Sequence, residues 1–229
     1  MATELEEKSQ VKAKFSGDLA TLKSNLVELA HLAATAMAHS VEAVLRRDGD
    51  KARAVITGDT AINNLEEAID RECVRLIALF QPVAMDLRQL MAVDHIIAEF
   101  ERIGDSATNI AEEALTLRQS AARPLHPKLA FMAQSVQEML HQSLEAFLQH
   151  DAQLARQVCW ADSEVDMLDQ AIIQDLLQDM AGAPEAIFPG QSQVNIVRNL
   201  ERVGDHATNI AEQVVYMVEG ESVRHRCQG

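Results

Sequence analysis

Residues 101–112 read ERIGDSATNIAE, and residues 201–212 read ERVGDHATNIAE. Ten of the twelve positions are identical at an offset of 100; Ile103 becomes Val203 and Ser106 becomes His206. Upstream the offset is 103, where Asp59-Thr60 matches Asp162-Ser163, Ile62 matches Val165, Leu65 matches Leu168, and SVEAVL at 40–45 matches SLEAFL at 143–148. One structural unit therefore occurs twice, shorter by three residues in the second copy between its second and third segments. Two equivalent units packed together are the simplest fold for such a duplication.

Each unit reads as three helices. Apolar residues recur at three- and four-residue steps through Leu19, Leu22, Leu26, Leu29, Ala33, Met37, Val41 and Val44, and again from Val55 to Phe80 and from Leu87 to Leu117. The rhythm restarts at Leu129, continues from Val158 to Leu176, and runs from Val197 to Met217. Pro82, the Pro124 and Pro127 region, and Pro184 supply the breaks. Aromatics make up only 3 % of the residues, so the core is aliphatic and suits helix-on-helix packing better than sheets. The expected fold is all-α, with two tandem pseudo-symmetric three-helix bundles. Residues 1–14 read as an N-terminal extension, 15–122 and 123–220 as the two bundles, and 221–229 as a tail.

The 229 residues carry 20 Lys and Arg against 35 Asp and Glu, a net charge of −15. Such a chain repels phosphate backbones, which excludes a general nucleic-acid binder. No apolar run reaches the roughly 18–20 residues of a membrane span, and the charged start lacks the apolar stretch of a signal peptide. Cys73, Cys159 and Cys227 are far apart with no CxxC spacing, which points to a reducing, cytoplasmic setting.

Part of the acidity is organised. Glu101, Asp105 and Asn109 lie at i, i+4 and i+8 along one helix flank, and Glu201, Asp205 and Asn209 repeat the row. The preceding helices carry Asp59 with Asn63, and Asp162 with Asp166. If the second and third helices of a copy are antiparallel, side chains at equal height have a constant sum of residue numbers. Asp59 with Asp105 and Asn63 with Glu101 share one such sum, centred on Pro82. Asp162 with Asp205 and Asp166 with Glu201 share another, centred between Ala183 and Pro184. Like charges stacked this way oppose folding, and a bound cation reverses that term. Carboxylates and carboxamides favour hard ions such as magnesium, manganese, calcium or iron. A solvated acidic helix face is the alternative reading of the same residues.

Other features divide between packing and chemistry. Gly104 and Gly204 interrupt helices at a cost of about 1 kcal/mol each, which signals close helix approach. Arg102 and Arg202 read as surface ion-pairing residues, and Cys73, Cys159 and Trp160 as packing residues. Asp86-Leu87-Arg88 has no counterpart in the second copy and reads either as a helix start or as a partner contact. Glu28 with His31 and Glu138 with His141 form two ExxH motifs of the kind found in ferritin-like di-iron bundles. They are 110 residues apart where the first and fourth helices align at 103, so they are not equivalent positions of the duplication.

The doubled motif, FERIGDSATNIAE at 100–112 and LERVGDHATNIAE at 200–212, resembles the signature of the PhoU family of phosphate-signalling proteins. The segment 81–88, QPVAMDLR, resembles that family's junction between helices two and three. The resemblance implies a metal-binding regulator rather than an enzyme, commonly a homodimer, that restrains phosphate uptake and the Pho regulon. It implies two partners at the inner membrane, a PhoR-type sensor histidine kinase and the phosphate ABC transporter ATPase, reached without membrane insertion. It further implies divalent or trivalent metal ions (iron, zinc, magnesium or manganese) on Glu101 and Asp105 with Asp59, and on Glu201 and Asp205 with Asp162 and Asp166. Asn63 stands where the family usually has an acid, which implies weaker binding in the first copy.

Overall fold

The computed structural model describes residues 2–119 and 123–221, with side chains from residue 9 onward. Its six helices are α1 (Ala2–Arg46), α2 (Gly49–Phe80), α3 (Ala84–Gln119), α4 (Leu129–Gln149), α5 (Ala152–Gly182) and α6 (Ile187–Glu219), with a 3₁₀ turn at Pro184–Ala186 before α6. No strand occurs among the described residues. The all-α, six-helix expectation holds. Two boundaries differ from the apolar pattern. α1 continues back through residues 2–14, a segment rich in Glu, Lys and Ala that favours helix without needing an apolar stripe. α6 begins ten residues before Val197, because Pro189 is tolerated in a first helical turn. Residues 222–229, including Cys227, lie outside the described residues.

The duplication is visible in the turns. Arg47 and His150 both adopt left-handed backbone, with φ of 53° and 54°. The next residues, Asp48 and Asp151, cap α2 and α5 by accepting from the backbone N–H groups of Asp50 and Lys51, and of Gln153 and Leu154. Ser40 and Ser143 both donate to the carbonyl three residues back, at 2.8 Å. The α2–α3 link is only Gln81–Val83, with Gln81 ending α2 in left-handed backbone.

Within each repeat the three helices pack on one another, and α3 packs along α6 to join the repeats. Leu22, Leu26, Phe100, Phe147, Val197 and Leu200 all belong to one continuous core. The α3–α6 contact is antiparallel and laced by polar pairs: Asn109 donates to Asn199 at 3.2 Å, Asn195 to Glu113 at 2.6 Å, and Asn209 to Glu99 at 3.1 Å. Arg88, near the start of α3, donates to the Met217 carbonyl at 3.2 Å and so satisfies the end of α6. The Asp86-Leu87-Arg88 segment is thus a helix start with an inter-repeat role. Cys73 is buried and free, with its thiol pushed up to about 12 chiefly by burial. Cys159 is buried and disulfide-bonded, which departs from the reading of unpaired thiols.

Candidate functional site

Gly104 and Gly204 place α3 and α6 against the preceding helices. A Cβ on Gly104 would stand 2.9 Å from Ile62 Cδ1 and 3.4 Å from Asp59 Oδ1. A Cβ on Gly204 would stand 3.4 Å from both Asp162 Oδ1 and Val165 Cγ1. The missing side chain therefore lets the carboxylate of the neighbouring helix lie over the glycine, one residue from Asp105 or Asp205. Close approach, and not backbone freedom, is the reason for both glycines.

Three of the facing pairs expected from helix register act on one another electrostatically: Asp59 with Asp105, Asp162 with Asp205, and Asp166 with Glu201. Asp105 is raised by burial and then by the charge of Asp59. Glu101 is raised by burial, then by Asp105 and Glu66. In the second repeat Asp162 is only 7 % exposed, and burial together with Asp166, Asp205 and Glu201 pushes its carboxyl up to about 7. Glu201 is raised by burial and by Asp205, and Asp205 by burial and by Asp166. Each repeat thus carries a groove in which carboxylates oppose one another's ionisation.

The first groove is less strained electrostatically, because Asn63 donates to Asp59 Oδ2 at 3.0 Å. Asp59 Oδ1 and Asn63 Oδ1 are nevertheless buried without a hydrogen-bond partner. Two orphaned oxygens on adjacent turns are costly unless a cation or water meets them. The donor set, all oxygen, suits a hard ion. Among the described residues, no group of three or more His, Cys, Asp or Glu side chains is already gathered closely enough to hold a metal ion. Asp105 and Asp205 are exposed, so their side chains have room to swing toward Asp59 and Asp162.

Asn109 and Asn209 stand apart from the rows. Their side chains turn into the α3–α6 seam, toward Asn199 and Glu99. Glu99, which no motif singled out, gathers that seam: it accepts from His206 Nδ1 at 2.7 Å, from Asn209, and from Arg102 at 2.8 Å. Those hydrogen bonds hold its carboxyl below the usual range despite burial. His206 therefore joins the seam and not the acidic row. Asp169 was also missed. Its side chain is 5 % exposed, pairs with Arg198 at 2.9 Å, and leaves Oδ1 without a partner. The legible signal for it was a polar residue on the buried stripe of α5, one turn beyond Asp166.

The two ExxH motifs do not meet. Glu28 and His31 are exposed on the outer face of α1, and Glu138 and His141 on that of α4, where Glu138 accepts from Gln142. A ferritin-like centre needs these groups in a bundle core, so that reading is set aside. No helix among the described residues is long and apolar enough to cross a membrane.

The PhoU domain description matches residues 26–114 and 129–214. The chain is 35 % identical over 216 residues to a phosphate-specific transport system accessory protein PhoU homolog of Pseudomonas aeruginosa, covering 94 % of this chain and 89 % of that protein. It is 33 % identical over 215 residues to the phosphate-specific transport system accessory protein PhoU of Escherichia coli K12, covering 94 % and 89 %. The crystal structure of PhoU from Pseudomonas aeruginosa superposes with a TM-score of 0.87 at 34 % identity, covering 90 % of this chain and 100 % of that one. The phosphate transport system regulatory protein PhoU from Streptococcus pneumoniae superposes with a TM-score of 0.86 at 30 % identity, covering 91 % and 99 %. Two repeats, one signature and near-complete coverage agree: the chain belongs to the PhoU family.

Proposed function

We propose that this chain is an accessory regulator of a phosphate-specific transport system, acting by binding and not by turnover. The names of its relatives support the transport assignment. The partners in this reading are the ATPase of a phosphate ABC transporter and a PhoR-type sensor histidine kinase, met at the cytoplasmic face of the membrane. Uptake and the Pho regulon are restrained when phosphate is plentiful. A homodimer presents both acidic grooves twice.

The observation that carries the binding mechanism is the paired glycine–carboxylate contact, Gly104 with Asp59 and Gly204 with Asp162. It gathers carboxylates in two grooves at an electrostatic cost that a cation offsets. Asp59, Asn63, Glu101 and Asp105 would hold an ion in the first groove, and Asp162, Asp166, Glu201 and Asp205 one in the second. The ion supplies positive charge that locks neighbouring helices together. With one carboxamide among its donors, the first groove binds more weakly. The residues of the chain do the rest: α3 and α6 hold the two grooves in fixed relation through the Glu99–His206 and Asn109–Asn199 contacts.

The test is complementation of a strain lacking its own PhoU, with a phosphate-repressed reporter. Wild-type chain restores repression at high phosphate and co-purifies with the transporter ATPase or kinase from membranes. Normal phosphate control in the deletion strain, or a soluble chain that restores nothing, contradicts the proposal.

A further inference from the structure

The groove between α5 and α6 does not end at the second acidic row. It continues toward the α5–α6 tip as an open trough of about 690 Å³. Asp166 and Glu201 form one end, beside the Asp169–Arg198 pair, so three carboxylates face one guanidinium there. Beyond them Ile173 and Leu177 form the floor, and Leu177 is 55 % exposed. The trough follows α5 from Asp166 to Ala181, about 22 Å or four turns of helix. Outside the trough's lining, Ile187 and Phe188 at the start of α6 are also exposed, Phe188 by 81 %.

The first repeat carries a charged version of this face. At the 103-residue offset, Glu67, Asp70, Arg71 and Arg75 occupy the positions of Gln170, Ile173, Gln174 and Gln178. The first-repeat charges are engaged within the chain: Arg71 pairs with Glu67 at 3.3 Å, Arg75 with Asp18 of α1 at 2.7 Å, and Asp70 meets Asp94 of α3. Four charged positions have become three amides and an isoleucine, and Val74 has become the larger Leu177. A helix face kept for solvent retains its charges, whereas a face covered by protein replaces them with apolar and amide groups.

We propose that this trough docks an amphipathic helix of a partner protein, with its Lys or Arg residues over Asp166 and Glu201 and its apolar stripe on Ile173 and Leu177. The length matches four turns, and the mode is the ordinary one of a helix laid in an apolar groove. Charge complementarity argues for a basic partner segment, because Asp166 and Glu201 line one end of the trough. The inference goes beyond the accessory role proposed above by assigning it a surface and a partner chemistry. A cation held by Asp166 and Glu201 would compete with the partner's Lys or Arg, so the docking is read on the metal-free chain.

The test is selection of helical 18-residue peptides with one randomised face, displayed on phage, against the full chain in EDTA. Enriched peptides should carry apolar residues at i, i+4 and i+7 and Lys or Arg at one end. Their binding, read by fluorescence anisotropy, should weaken at least tenfold in Ile173→Asp/Gln174→Arg, which restores the first-repeat charges. Gln174→Arg/Gln178→Arg changes only exposed positions, keeps the fold, and should weaken binding in the same direction. Val74→Asp in the first repeat should leave it unchanged. Enrichment of nothing, of acidic or non-helical sequences, or of peptides indifferent to these variants overturns the proposal. So does a wild-type dimer that Gln174→Arg/Gln178→Arg dissociates in sedimentation, since the occupant is then a second copy. Working in EDTA separates this failure from a failure of the cation sites.

Discussion

Asp162 Oδ1 lies 3.4 Å from the point where a side chain on Gly204 would begin, and the first repeat places Asp59 Oδ1 at the same distance from Gly104. The two contacts are not interchangeable in their surroundings. Around Gly204 every neighbour is at ordinary van der Waals distance, whereas a Cβ on Gly104 would reach Ile62 Cδ1 at 2.9 Å. Alanine at 204 gains helix propensity of up to about 1 kcal/mol. Gly204→Ala should therefore be neutral or stabilising in urea denaturation, and Gly104→Ala less favourable, because Ile62 must turn. Gly204→Leu should separate α5 from α6 and cost several kcal/mol.

Asp162 sets the pH response of the metal-free protein. Burial, and then the charges of Asp166, Asp205 and Glu201, push its folded-state carboxyl up to about 7. The folded protein then binds more protons than the unfolded chain between about pH 4 and 7. Stability should fall as pH rises through that window and level off above it. Each pKa unit corresponds to about 1.4 kcal/mol as an upper bound. Asp162→Asn should flatten the slope and raise stability at pH 8, as thermal melts across pH in EDTA will register.

Asn109 belongs to the seam between repeats. Asn109→Ala should cost about 1 kcal/mol and couple to Asn199→Ala in a double-mutant cycle. Neither change should alter cation binding. A loss of binding in Asn109→Ala, with stability intact, would return Asn109 to the acidic row.

Arg198 neutralises a carboxylate that is 5 % exposed. Arg198→Ala should destabilise the second repeat by about 1–3 kcal/mol, and Arg198→Ala/Asp169→Asn should recover most of it. Because Asp169 lies already above its usual value through burial, the single variant should regain stability on acidification.

Much of this was legible because helices convert sequence spacing directly into position. The matched sums of residue numbers located Asp59 against Asp105 and Asp162 against Asp205, since an antiparallel hairpin with a proline at its turn leaves little freedom in height. The same spacing put Asn109 and Asn209 in the rows, whereas their amides turn into the seam. They share a flank with Glu101 and Glu201 when drawn on one helix, yet two further turns carry them into the seam with the other repeat. Only the packing of α3 on α6 reveals that seam, and with it Glu99 and His206. Arg198 escaped notice because Ala98 stands at the matching position, and Asp169 because the acid it shares with Glu66 lies outside the doubled motif.

The account rests most directly on whether the acidic rows hold cations. A titration with Mn²⁺, following free ion by electron paramagnetic resonance, decides it. Wild-type chain should bind in two classes, and Glu201→Ala/Asp205→Ala should abolish the tighter one while the weaker class, lost in Glu101→Ala/Asp105→Ala, remains. Glu28→Ala/His31→Ala should change neither. No saturable binding by the wild-type chain, or binding that survives in both acidic-row variants, would contradict it.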